Sequence, residues 1–323
     1  MLGFLVLQGG RRLTVRARAK VNLGLEVLGP RADGYHELLT FLSAVDLADR
    51  VTLATTARGA EGIEVSCDAP GVPQGAENLA WRAADLLGRE AGVRTGVRIR
   101  IDKGIPVAAG LGGGSADAAA VLVGLSRLWG VPLSPARGHA LATELGMDVP
   151  FFLGEGPGLA SGRGERLAAV PPHRPVALVV VNPGFPLATR DVYGRLRPSD
   201  FSSGVAVRAL VAALPGGARA IAARVVNGLE RAAAELWPGL ADVKAALLGA
   251  GALGAVMSGS GPTVIGVAPS GTAARRILEA LAERPWRTWV VRTVTGPALS
   301  IAREARGGRT QQRPVVSWGV AKR

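Results

Sequence analysis

Pro106–Trp129 reads PVAAGLGGGSADAAAVLVGLSRLW, with Gly110, Gly112, Gly113 and Gly114 falling within five positions. No other stretch limits the fold so strongly. Successive glycines let a backbone take positive φ and approach a bulky anion, because no Cβ stands in the way. Ser115 and Asp117 then open a helical pattern, with Ala118, Leu122, Leu125 and Trp129 recurring on one face. A helix start offers unpaired N–H groups and the positive end of the dipole. The strand-like run Val97–Ile101 leads into the loop, and strand, glycine loop and helix in that order is the context phosphate binding requires. No Lys follows the glycines as a P-loop needs, and Ser115 stands where a dinucleotide fingerprint has its last Gly. Both of those loops are excluded.

Upstream, Val15, Ala17, Ala19, Val21, Leu23, Leu25 and Val27 alternate with Arg16, Arg18, Lys20, Asn22 and Glu26. This predicts a half-buried strand with Lys20 and Asn22 on its wet face. Arg31-Ala-Asp-Gly34 is a turn, and Tyr35-His36 begins a second extended stretch. Asn78 is placed to cap a helix running to Gly92, and residues 135–146 form another that ends at Gly146. Asp148 follows it among apolar neighbours. From Pro171-Pro172 the pattern restarts with an apolar strand at Val176–Val181, then helices and strands around the turn Ser258-Gly-Ser-Gly-Pro262. Two such blocks predict an α+β fold of two domains, 1–170 and 171–300, with a cleft between them.

The formal charge of +13 raises the question of nucleic acid. Aromatics make up only 4% of the chain and the charge is neither clustered nor interleaved with rings, which argues against a nucleic-acid partner. Residues 301–323 carry six basic side chains against Glu304, a composition expected of a disordered tail. The excess positive charge also suits polyanionic small substrates. Leu2–Leu7 is too short to span a bilayer and no longer apolar segment is evident, so no membrane partner is expected. Cys67 is the only cysteine, which fits a reducing cytoplasm. With three histidines besides, a zinc site is not expected, and no Gly-x-Ser-x-Gly elbow is present.

The glycine run resembles the Pro-x-x-x-Gly-Leu-Gly-Gly-Gly-Ser motif of the GHMP small-molecule kinases. Ala19–Leu25, Arg31–Glu37, Glu77–Leu79, Asp148–Phe151 and Ser258–Thr263 follow in matching order over about residues 14–300. Together they resemble the branch of that family that phosphorylates an alcohol carried on cytidine diphosphate. The resemblance implies ATP as co-substrate with Mg2+, and direct transfer of the γ-phosphoryl group in an interdomain cleft. It implies an ATP site at Pro106, Val107, Ala108, Ala109, Gly110, Leu111, Gly112, Gly113, Gly114, Ser115 and Ala116, with Asn78 toward the adenine. Lys20 and Asp148 match the catalytic pair, and Asn22 a contact to the substrate alcohol. Tyr35 and His36 match a cytidine pocket, and Tyr193 an aromatic that stacks on the base. The Ser115 hydroxyl could touch Mg2+, but no acidic ligand accompanies it and the metal site stays open. Oligomeric state is not legible. A mevalonate- or homoserine-type kinase is the alternative within the family, and an RNA-binding protein the alternative outside it. Met147 departs from the resemblance, standing where the family usually has a small residue, and residues 1–13 and 301–323 extend beyond it.

Overall fold

The structure is a computed structural model that describes residues 11–56, 62–93 and 96–302, together with the backbone of 312–314. The chain opens on two long strands, β1 (Arg12–Pro30) and β2 (His36–Thr55), then β3 (Ile63–Cys67), α1 (Leu79–Ala91) and β4 (Val97–Asp102). Next come α2 (Gly113–Trp129), α3 (Pro135–Leu145), α4 (Val149–Leu153), β5 (Gly158–Gly162) and β6 (Arg166–Ala169). Past the prolines lie β7 (Ala177–Asn182), α5 (Thr189–Tyr193), α6 (Val205–Ala213), α7 (Gly217–Ala222), β8 (Val226–Asn227) and α8 (Glu230–Leu236). The last elements are α9 (Leu240–Gly249), β9 (Gly254–Met257), β10 (Val264–Val267), α10 (Gly271–Ala280), β11 (Arg287–Val294), β12 (Leu299–Ala302) and β13 (Gln312–Pro314).

The architecture is α+β in two domains. In the first, β1 and β2 pair antiparallel along nearly their whole lengths, with β4 and β5 on other stretches of β2. The inward residues Val15, Ala17, Val51, Leu53, Ile99 and Ile101 pack on α1 and α2. In the second, the antiparallel order β9-β10-β7-β11 packs Val179, Val181 and Val264 against apolar residues of α8, α9 and α10. The two are stitched together by β11, which pairs with β7 as far as Arg292 and then with β2 at Thr293 and Val294. Beyond it, β12 returns to pair with β1, so the end of the second block completes the sheet of the first.

Several expectations change in three dimensions. β1 is buried on both faces from Ala19 to Val27, not half-buried, and Lys20 and Asn22 are only 5% and 4% exposed. Its second face is covered by the glycine loop and by α6, whose Val207 N–H donates to the Glu26 carboxylate. The β1–β2 register slips between Arg18 and Lys20 and again between Asn22 and Gly24. Bulges of this kind re-aim side chains, and here they bracket both polar residues. α2 is likewise enclosed, with every residue from Ala116 to Leu125 buried, the condition of a central helix. Residues 205–222 are apolar enough to merit a membrane test that the sequence pattern did not prompt. They form no continuous span, because a 3-10 turn at Leu214–Gly216 separates the nine residues of α6 from the six of α7. The tail expected to be disordered contributes β13 against β12. Ile301 and Ala302 belong to β12, while residues 303–311 and 315–323, and residues 1–10, lie outside the described residues.

Candidate active site

The glycine loop carries a left-handed backbone at Gly110 (φ 71°) and Gly112 (φ 72°), while Gly113 and Gly114 already belong to α2. Neither of these two glycines has room for a side chain. A Cβ on Gly110 would stand 2.9 Å from the Gly261 carbonyl, and one on Gly112 would stand 2.9 Å from both Lys20 Cγ and Phe152 Cζ. Gly112 is the N-cap of α2 without a side-chain cap, so the first-turn N–H groups have no intrahelical acceptor. They border a cavity of about 340 Å3 lined by every residue from Pro106 to Ser115, with Asn78 and Lys103 opposite. Ala116 does not line it. Its N–H bonds the Gly112 carbonyl and its side chain lies in the core. Asn78 does line the cavity, but its amide already caps α1 at Ala80 and holds the Pro73 carbonyl.

On the other side of the loop lies a second cavity of about 710 Å3, which shares Gly110, Gly112 and Ser115 with the first. Lys20, Asn22, Tyr35, His36, Asp148 and Tyr193 all line it. Lys20 Nζ donates to Asn22 Oδ1 at 2.8 Å and sits 3.4 Å from Asp148 Oδ2. The orientation of Asn22 follows from its network. Thr40 gives its hydroxyl proton to the Gly24 carbonyl and accepts from Asn22 Nδ2 at 2.8 Å, which leaves Oδ1 facing the lysine. The Asn22 N–H donates to Ser258 Oγ, so the second glycine turn closes over this side of β1. Asp148 is the N-cap residue of α4, yet its side chain caps nothing and stays 43% exposed to the cavity beside Lys20. Met147 lies on the same wall.

The far end of this cavity is aromatic. The His36 and Tyr193 rings are 5.4 Å apart and tilted, with Phe201 6.0 Å behind His36. Burial lowers the His36 pKa, which favours neutral imidazole at pH 7, and burial with the Asp148 charge raises the Tyr193 phenol. Tyr35 lies 53% exposed at the rim, with the Arg163 guanidinium carbon 4.9 Å from its ring centroid. Arg163, Arg190, Thr189 and Ser260 complete the wall. Ser260 belongs to the glycine turn the sequence marked after β9, but no spacing pointed to Arg163 in the β5–β6 turn or to Thr189 and Arg190 at the start of α5.

A buried charge cluster flanks the first cavity. Lys103 Nζ lies 2.5 Å from Asp49 Oδ2 and 3.0 Å from Asp117 Oδ2, while Asp49 Oδ1 accepts the N–H groups of Gly104 and Ile105. Asp117 is 3% exposed and its Oδ1 has no partner among the described residues. Burial pushes its carboxyl up to about 7, against the pull of Lys103.

Residues 78–156 match the model of the GHMP kinase N-terminal domain, and residues 209–287 match that of the GHMP kinase C-terminal domain. The 4-diphosphocytidyl-2-C-methyl-D-erythritol kinase of Pelotomaculum thermopropionicum is 47% identical over 82% of this chain and 92% of its own. That of Symbiobacterium thermophilum is 44% identical over 87% of this chain and all of its own. The chain belongs to the 4-diphosphocytidyl-2-C-methyl-D-erythritol kinase family, within the GHMP kinases. A crystal structure of a 4-(cytidine 5'-diphospho)-2C-methyl-D-erythritol kinase superposes with a TM-score of 0.76 at 41% identity, covering 89% of this chain and all of that one. The homoserine kinase of Cytophaga hutchinsonii superposes at 0.70 with 24% identity, a likeness of fold alone. As a small-molecule kinase of this family the protein uses ATP as co-substrate. Two cavities meeting across one glycine loop suit such an enzyme, since phosphoryl transfer is mostly a matter of positioning and of offsetting charge.

Proposed function

We propose that the protein transfers the γ-phosphoryl group of ATP to the 2-hydroxyl of 4-diphosphocytidyl-2-C-methyl-D-erythritol. The observation that carries this reading is the Lys20–Asp148 pair in the larger cavity, beside the glycines shared with the smaller one. ATP occupies the smaller cavity, its phosphates on the first-turn N–H groups of α2 and the loop from Pro106 to Ser115, its base toward Asn78. Asp148 takes the hydroxyl proton. Lys20, fixed by Asn22, lowers the pKa of that hydroxyl and steadies the charge that develops on it. Tyr35, His36 and Tyr193 receive the cytosine, and Asn22 the alcohol.

Among the described residues no group of three or more His, Cys, Asp or Glu is placed to cage a metal ion. Mg2+ usually keeps several waters and needs few protein oxygens when phosphates supply the rest. The Ser115 hydroxyl, between the cavities, is such an oxygen, so the residues fit an ion that arrives on the nucleotide. That ion would offset phosphate charge. On this reading the domain boundary falls near residue 170, the partner is a small molecule rather than nucleic acid or a membrane, and the enzyme works in the cytoplasm.

The test is a coupled assay of ADP release with the cytidine substrate, mevalonate and homoserine in turn. Turnover is expected with the first alone. Comparable turnover of mevalonate or homoserine would overturn the substrate assignment.

A further inference from the structure

Arg163 has no role in the mechanism above, yet the fold takes trouble to place it. It sits at the tip of the turn between β5 and β6, where its own N–H donates to the Glu165 carboxylate at 2.7 Å and the Gly164 N–H to the Ser161 carbonyl. The turn is also tied to the loop that carries Tyr35. Glu37 accepts the Gly162 N–H at 3.0 Å and pairs with both Arg31 and Arg166, while Arg31 pairs in turn with Asp33. Asp33 accepts the Tyr35 N–H. Two connections far apart in the chain are therefore held in fixed relation, and across them the guanidinium lies over the Tyr35 ring.

We propose that Arg163 is a positioning residue for the base: it backs one face of Tyr35 and leaves the opposite face to the cytosine. The assignment rests on the proposed cytidine substrate. A ring half exposed at a turn is free to rotate away, and ordering it when substrate arrives would cost side-chain entropy. A planar guanidinium on one face meets that cost in advance and stacks as an ammonium cannot. The geometry therefore assigns Arg163 to binding and leaves the phosphoryl-transfer step to other residues.

The chain has only two tyrosines, Tyr35 and Tyr193, so ring-labelled [13C]tyrosine protein gives two sets of signals, assigned with Tyr193→Phe. Arg163→Ala is expected to move the Tyr35 ring signals toward the values of a free ring in the absence of any substrate, with the protein folded by circular dichroism. In steady-state assays it should raise the KM for the cytidine substrate by about three- to thirty-fold, the range of a cation–ring contact. The KM for ATP and kcat should hold. Arg163→Lys should recover only part of the loss, and adding Arg163→Ala to Tyr35→Ala should change nothing further. Full recovery by Lys would mean that only charge matters, and Tyr35 signals unmoved by Arg163→Ala would mean the ring is held otherwise. Independent, multiplying effects of the two substitutions would mean that Arg163 does not act through Tyr35. Each overturns the assignment while leaving the substrate reading intact. Failure of the wild-type enzyme to turn over the cytidine substrate overturns the substrate reading, and this assignment with it.

Discussion

Gly112→Ala is a single methyl placed where the backbone, the lysine and the core all object. The residue sits at φ 72°, a region that costs an alanine about 1–2 kcal/mol. The new Cβ would stand 2.9 Å from Lys20 Cγ and 2.9 Å from Phe152 Cζ, closer than carbons pack, so one of them must move. Phe152 is 1% exposed and set edge-on against Phe151 in the core of the first domain. Lys20 has its head at the cavity wall and is the one that yields. Its Nζ then leaves the 2.8 Å bond to Asn22 and the 3.4 Å approach to Asp148. Misplacing a catalytic group by about 1 Å can cost about 10²-fold in rate, and kcat is expected to fall by about that factor. Backbone strain alone is separated by Gly130→Ala, at the other end of the same helix. Gly130 has φ 70° and nothing within 4 Å of a Cβ. That variant should lose a similar few degrees of Tm and keep its turnover. The assay is ADP release, normalised to folded protein. If Gly112→Ala turns over as fast as Gly130→Ala, the loop does not seat Lys20 and the reasoning fails.

Asp148→Asn preserves shape but cannot accept a proton, so kcat should fall by about 10²–10⁴, with binding of both substrates, followed by calorimetry, nearly unchanged. Lys20→Met should cost a comparable factor, and the double variant should be little worse than either; additive losses would show that the two do not act as a unit. Tyr193→Ala should raise the KM for the cytidine substrate by about tenfold, from the loss of one stacked ring, and leave that for ATP alone. Phe185 packs edge-on against Trp237 and does not line the larger cavity. For Asp117, burial raises the carboxyl from 3.8 to about 7, so the folded protein keeps a proton that the unfolded chain gives up between those values. Its stabilising contribution is therefore complete below pH 3.8 and lost as pH rises through about 7. Asp117→Asn, neutral throughout, should flatten that slope in Tm against pH; parallel slopes would show that Asp117 is charged in the fold.

What could be read from the sequence was what the backbone makes local. Glycine spacing marks the loop, and Asn78 and Gly92 bound α1 as caps whose chemistry lies within a turn of the helix. The left-handed positions were less legible, since four glycines are available and only Gly110 and Gly112 use the freedom. The pattern of β1 gave its strand but mistook one face, because what covers Lys20 and Asn22 lies roughly 90 and 240 residues further along. Within 158–222 the Val176–Val181 strand was read, but β5, β6 and α5 to α7 were not, being too short for a period to declare itself. Arg163 and the Asp49–Lys103–Asp117 cluster are illegible for the same reason. Each is a meeting of residues whose separation in sequence carries no signal.

The two lysines beside the loop differ in a way that bears on the proposed chemistry. Lys103 is shared by two carboxylates and is enclosed, so its charge is already answered before any nucleotide binds. Among the described residues Lys20 has one carboxylate partner, Asp148, which faces the cavity. In the proposed mechanism, Asp148 accepts the proton of the substrate hydroxyl and the pair passes from neutral to a net positive charge. This happens as the substrate oxygen loses its proton and joins a phosphoryl group, where a positive charge is most useful. A lysine tied to a second acid could not make that change, because the remaining carboxylate would cancel it. On the proposed mechanism the two lysines divide the labour: Lys103 serves the frame of the loop, and Lys20, beside a base that neutralises itself in the act, serves the reaction.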